Sequence, residues 1–169
     1  MNKTFRPVQW LALLTLLVYL VVLTRKIVFK KDSVRYYKQY FASDYKRYSP
    51  ATGWRKANLV PFHTINMYYK GYKRHNAVAT YNLLGNLLGF VPFGLLLPLA
   101  IPWFRHGIKM LGAIILLSAG YETIQLLTGL GVADIDDILL NTAGAVLGYL
   151  LFCIGRLLVK YFNSGIAKA

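Results

Sequence analysis

Glu122 stands well inside an otherwise apolar stretch, residues 108–130, and marks where this chain has the means to do chemistry. A carboxylate at that depth is costly unless it is protonated, paired or hydrated. Ser118 and Gln125 lie four and three residues away, so the three share one helical face. Two other apolar segments carry stripes of the same kind. Asn82, Asn86 and Gly89 line one of them, and Asp137, Asn141, Gly144 and Gly148 line the other, just after Asp134 and Asp136. Carboxylates grouped in this way can hold a hard divalent cation through oxygen, act as a base or anchor basic side chains. An acid at a helix start also caps its amides and complements its dipole. Capping needs one of Asp134, Asp136 and Asp137, which leaves two carboxylates beside Glu122. Glu122, Asp136 and Asp137 are thus the candidate ligands if a divalent cation binds, with capping and ion pairing as the simpler reading. Asn82, Asn86, Gln125 and Asn141 from the bundle, or Arg55, Lys56 and Arg74 from outside it, are candidate partners for Glu122. His63, His75 and His106 do not form a ligand pair at helical spacing, so no zinc site is expected. No nucleophile motif or phosphate-binding loop is present, and no catalytic residue can be named.

The elements that must position these residues follow from hydropathy. Four apolar runs, about 8–24, 79–101, 108–130 and 138–159, are long enough to span a bilayer, in a chain that is 56% hydrophobic. The first follows Lys3 and Arg6 as a secretory signal would, but Thr24, Arg25 and Lys26 replace a cleavage site, so a retained helix is expected. The expected fold is an all-α integral membrane protein, a four-helix transmembrane bundle forming a single domain over 1–169. Successive spans run antiparallel, so the start of the second, the end of the third and the start of the fourth share one membrane edge. The polar stripes converge there, with four of the chain's six acidic residues. Gly85 with Gly89, and Gly144 with Gly148, form two GxxxG pairs of the kind that lets membrane helices approach closely. Cys153, alone in an apolar run, excludes a disulfide within the chain and reads as packing.

The same edge faces a long basic loop, residues 25–78. Between positions 24 and 78 lie thirteen of the twenty Lys and Arg residues and eight of the thirteen tyrosines. Val34, Tyr37, Phe41, Tyr45 and Tyr48 recur at spacings of three and four among Arg35, Lys38, Lys46 and Arg47, predicting an amphipathic helix in the interface of an anionic membrane. Anionic headgroups are the expected partners. Aromatics among basic residues also occur in single-strand binders, but no nucleic-acid module is visible and none is expected as a partner. Loop charge votes for a cytoplasmic loop, while Lys3 and Arg6 vote for a cytoplasmic amino terminus, which would place the loop outside.

Four blocks give the chain a resemblance to the VanZ-like membrane proteins over residues 58–149. They are Asn58-Leu59-Val60-Pro61-Phe62, with Asn58, Pro61 and Phe62 as its marker residues; the run from Tyr81-Asn82 through Gly85-Asn86, Phe90, Pro92, Gly94 and Pro98; the Ser118, Glu122 and Gln125 stripe; and Asp134-Ile135-Asp136-Asp137 with Asn141, Gly144 and Gly148. Many members carry an arginine near the position of Leu130, which this chain lacks. The resemblance implies a multi-pass protein of the bacterial cytoplasmic membrane with cytoplasmic termini, linked to resistance to teicoplanin and related lipoglycopeptides. Its expected role is non-enzymatic, engaging an anionic lipid or lipid-linked wall precursor. The alternative is a metal-dependent membrane enzyme acting on a lipid phosphate.

Overall fold

The computed structural model describes residues 6–29, 33–44 and 48–166, and the regular structure there is helical. Helix α1, Pro7–Ile27, starts with proline at its first position, where the missing N–H is no loss, and Gln9 Oε1 accepts the Arg6 N–H at 2.8 Å. Arg25 and Lys26 occupy its last turn and complement the negative end of its dipole. Three short helices follow: α2, Val34–Gln39, α3, Pro50–Lys56, and α4, His63–Lys73. The remaining spans are α5, Ala77–Gly89, with α6, Val91–Ala100, then α7, Gly107–Thr128, and α8, Ile135–Ile166. Four stretches, Pro7–Ile27, Ala77–Ala100, Gly107–Thr128 and Ile135–Ser164, are long and apolar enough to cross a membrane.

The second span is two helices, not the continuous one predicted over 79–101. Pro92 lacks an N–H to donate and its ring crowds the preceding turn, so the helix breaks at Phe90 and restarts. Phe90 itself is 1% exposed and meets Tyr121 of α7 edge to face, with ring centroids 6.4 Å apart. The last helix, predicted over 138–159, has 32 residues and is about 48 Å long at 1.5 Å per residue, well beyond a hydrocarbon core of about 30 Å.

α6 lies at the centre, packed most extensively on α8 and then on α1. Glycine makes the α8 contact possible. A Cβ built on Gly144 would overlap the Leu87 carbonyl oxygen, one on Gly148 that of Val91, and one on Gly94 that of Ala145. The backbones therefore touch along this seam. The other predicted pair behaves differently. Among the described residues, nothing lies within 4 Å of a Cβ built on Gly85, and only Leu23 Cδ1, at 3.9 Å, lies near one on Gly89. Gly94 is the glycine of the second span that meets α8, because it shares a helical face with Leu87 and Val91, opposite Gly85 and Gly89.

The predicted interfacial helix is shorter than its sequence stripe. α2 ends at Gln39 and passes into a π-helical turn, Tyr40–Asp44, while Tyr45, Lys46 and Arg47 lie outside the described residues. The cause is visible at the end of α7, whose last carbonyls have no intrahelical partner. Tyr40 donates its hydroxyl to the Thr128 carbonyl at 2.6 Å, and Tyr48 donates to that of Leu126. Gly129, at φ 67°, ends α7 in the left-handed conformation that favours glycine, and a Cβ there would run into the Tyr48 ring. Val34 and Phe41 of the stripe are exposed, whereas Tyr37 folds back edge-on to Phe29 with ring centroids 5.2 Å apart.

Candidate functional site

The acidic edge has two parts with different chemistry. The first is a latch joining the 58–65 segment to the turn before α8. Asn58 pairs through its backbone with this turn, its N–H donating to the Ala133 carbonyl at 2.9 Å and its own carbonyl accepting the Ile135 N–H at 3.0 Å. Its side chain accepts the Val60 N–H at 3.1 Å and donates to Asp134 Oδ1 and Thr64 Oγ1, each at 2.9 Å. Asp134 in turn caps α8, accepting the Asp136 N–H at 2.8 Å, and takes the Thr64 hydroxyl at 2.6 Å on its other oxygen.

Asp136, fully buried, caps a different helix. Its Oδ1 accepts the Phe62 N–H at 2.6 Å, and its Oδ2 those of Thr64 at 2.7 Å and Ile65 at 3.1 Å, so it closes the start of α4 from across the chain. Phe62 adopts φ 65°, a left-handed backbone costing about 1–2 kcal/mol for a residue with a Cβ, and the latch holds it there. Of the loop motif, then, Asn58 is structural, while Pro61 and Phe62 sit at an exposed tip beside Leu59 and Val60.

The second part is a cavity of about 400 Å³ between α1, α5, α7 and α8. Glu122, Gln125, Asp137 and Asn141 line it from α7 and α8, and Asn82 and Asn86 from α5. Glu122 is 7% exposed and its Oε2 accepts the Asp134 N–H at 2.8 Å, so a backbone amide holds it, a partner absent from the predicted side chains. Asn86 donates to Asp137, Asn141 Nδ2 to Ser118 Oγ at 2.8 Å, and Gln125 Nε2 to the Ile27 carbonyl at 3.3 Å. Asn82 bonds to Tyr68 of α4. Burial raises the Tyr68 phenol above its ordinary range, the charges of Asp137 and Asp134 raise it further, and the Asn82 bond lowers it.

The polar stripes therefore meet as predicted, but the three aspartates part. Asp134 caps α8, Asp136 caps α4, and Asp137 alone joins Glu122 in the cavity. Both Asp136 oxygens face backbone donors, and among the described residues no group of three His, Cys, Asp or Glu side chains is placed to hold a metal ion. Sequence spacing also misses the α1 wall, where Tyr19, Arg25 and Lys26 line the cavity. Tyr19 donates its hydroxyl to the Gly89 carbonyl at the end of α5, and Thr24 Oγ1 lies 2.8 Å from the Tyr121 hydroxyl. The signal available was Tyr19 itself, the one tyrosine in an aliphatic helix that ends in two cations.

A sequence model of the VanZ/LLP1 family matches residues 11–158. The chain is also similar to Protein VanZ of Enterococcus faecium, 28% identical over 110 residues, which are 65% of this chain and 58% of that protein. The chain thus spans little more than half the length of this curated relative. No solved structure matches it. The family match reaches from α1 into α8 and takes in the latch and the whole cavity, and on that basis the chain belongs to the VanZ/LLP1 family, as an all-α, multi-pass membrane protein.

Proposed function

We propose that this protein lowers susceptibility to teicoplanin and related membrane-anchored lipoglycopeptides by engaging the anionic phosphate of a membrane lipid or of a lipid-linked wall precursor. The site is the cavity between α1 and α5, on the outer face of a bacterial cytoplasmic membrane. The observation that carries this reading is where the cavity lies. It sits at one end of four helices of spanning length, with polar side chains inside and the exposed Arg25 and Lys26 at its mouth. An antibiotic that anchors in the membrane beside its target competes for that same zone. The proposed role is binding, and Asp136, one of the three carboxylates nominated for a metal, is taken up by the amides of α4.

Glu122→Gln tests the reading. The exchange keeps shape and hydrogen bonding while removing charge, so the variant is expected to accumulate normally while teicoplanin resistance in expressing cells falls to the level of cells lacking the protein. Full resistance with both Glu122→Gln and Asp137→Asn would remove the cavity from the mechanism.

Orientation has its own test. Lys3 and Arg6 favour a cytoplasmic amino terminus, which places the cavity outside. Ser49, exposed at the start of α3, replaced by cysteine in a Cys153→Ala background, is expected to react in intact cells with a membrane-impermeant thiol reagent. Labelling only after lysis would put the cavity in the cytoplasm and sink the shielding mechanism.

A further inference from the structure

Between Val60 and His63 the chain reverses in a turn whose sequence is odd for a surface loop. The His63 N–H donates to the Val60 carbonyl at 3.3 Å, Pro61 holds the second position and Phe62 the third, at φ 65° and ψ 3°, which is a type II turn. Such a third position favours glycine. Phenylalanine stands there instead with its ring 66% exposed, so packing among the described residues does not offset the backbone strain. Leu59 and Val60 beside it are exposed as well. Much of the backbone of this apolar tip is already paired. Val60 donates its N–H to Asn58 Oδ1 and Phe62 to Asp136 Oδ1, Pro61 has no N–H, and the carbonyls of Val60 and Phe62 accept from His63 and Asn66. A loop in water can leave such groups to the solvent, whereas a segment that enters lipid must pair them internally.

We propose that Leu59, Val60, Pro61 and Phe62 form a wedge that inserts into the surface of the bilayer in which the chain stands, with the Phe62 ring at the boundary of headgroups and acyl chains. Position agrees, since Asn58 at the base of the tip is bonded to Ala133 and Ile135, and Ile135 opens the fourth span. Charge agrees too. The exposed Arg55 and Lys56 precede the tip, and the exposed His63, Lys70 and Arg74 follow it at spacings of seven and four, along one side of α4. Apolar residues set between cations settle into an anionic interface. Trp54 of α3 and Tyr69 and Tyr72 of α4 are also exposed, and such side chains gather where a membrane meets water. A protein partner fits less well, because a stable interface takes about 20–30 residues a side and the tip offers four. None of the four lines the cavity, so the wedge does not depend on what the cavity binds. Through Asp136 it ties the basic loop and the start of α8 to the membrane surface.

The test puts a nitroxide on the purified full chain in liposomes, through Val60→Cys, Ser49→Cys or Leu116→Cys in a Cys153→Ala background. Paramagnetic resonance then compares its collisions with oxygen, which concentrates in lipid, and with a neutral nickel chelate, which stays in water. Leu116, exposed in the middle of α7, is the lipid reference, and Ser49, exposed at the start of α3, is the water reference. The oxygen-to-nickel ratio at Val60 is expected to lie about tenfold or more above that at Ser49, close to that at Leu116. A ratio equal to that at Ser49, in liposomes that hold no other protein, would overturn the wedge and leave a protein as the partner of the tip. Phe62→Asn, a residue that tolerates the left-handed backbone, is expected to lower the Val60 ratio about threefold or more, and Phe62→Trp to restore it. Phe62→Gly serves should the first fail to accumulate, and an unchanged ratio would overturn the role of the ring. Liposomes of phosphatidylcholine alone are expected to give a lower ratio at Val60 than liposomes containing phosphatidylglycerol. The same ratio in both would overturn the part given to the flanking cations.

Discussion

Asp136→Ala is expected to destabilise the protein by about 3–5 kcal/mol and to release the 58–74 segment, the largest effect of any single side-chain truncation at the acidic edge. Three backbone N–H groups end on this one carboxylate, and each costs about 1–3 kcal/mol if left buried without an acceptor. Thr64 is buried, so water does not reach its amide without the loop moving. Movement is favoured in any case, because Phe62 then escapes its left-handed backbone. Asp136→Asn is expected to be nearly as harmful. Both oxygens of the carboxylate accept, so an amide must turn its NH₂ toward an N–H on one side or the other. Thermal denaturation in detergent and limited proteolysis near Arg74 measure the two effects, and a melting temperature unchanged in Asp136→Asn would refute the latch.

Gly144→Val is expected to abolish accumulation of the folded protein. Overpacking a core by a methyl or two typically costs about 1–3 kcal/mol, but here the new Cβ strikes a carbonyl of a facing helix and no side chain can rotate away. The α5–α6 and α8 backbones must separate along the whole seam, so the cost exceeds about 3 kcal/mol. Gly85→Ala is the matched control, placing its methyl in open space and leaving accumulation unchanged. Membrane-fraction abundance and monodispersity on gel filtration read out both. Equal accumulation of Gly144→Val and Gly85→Ala would show that the glycine seam is dispensable.

Hydropathy reveals the four spans because a bilayer demands apolar length and nothing else in the chain has it. The convergence of Asn86, Ser118, Glu122, Asp137 and Asn141 is equally legible, since helical period and alternating direction suffice to bring them to one edge. What spacing does not encode is the return of the chain. Asp136 and Asp137 are adjacent in sequence, yet one faces α4 and the other the cavity, a division set by where the 58–65 segment docks. Likewise both GxxxG pairs look alike on paper. Which face of the second span meets α8 is set by tertiary packing, and it is the face of Leu87, Val91 and Gly94, opposite that of Gly85 and Gly89. Tyr40 and Tyr48 are drawn out of any simple stripe by the unpaired carbonyls of α7, a tertiary demand invisible from residues 34–48 alone.

The bond between Phe62 and Asp136 spans 74 residues of sequence. A ribosome making this chain from its amino terminus has therefore exposed the start of α4 long before its cap exists, and one wall of the cavity arrives with the same segment, at the start of α8. Three spans, inserted and waiting, hold neither a closed loop nor a complete site. A nascent chain halted before Asp134 therefore lacks the cap of α4 and the α8 wall of the cavity together.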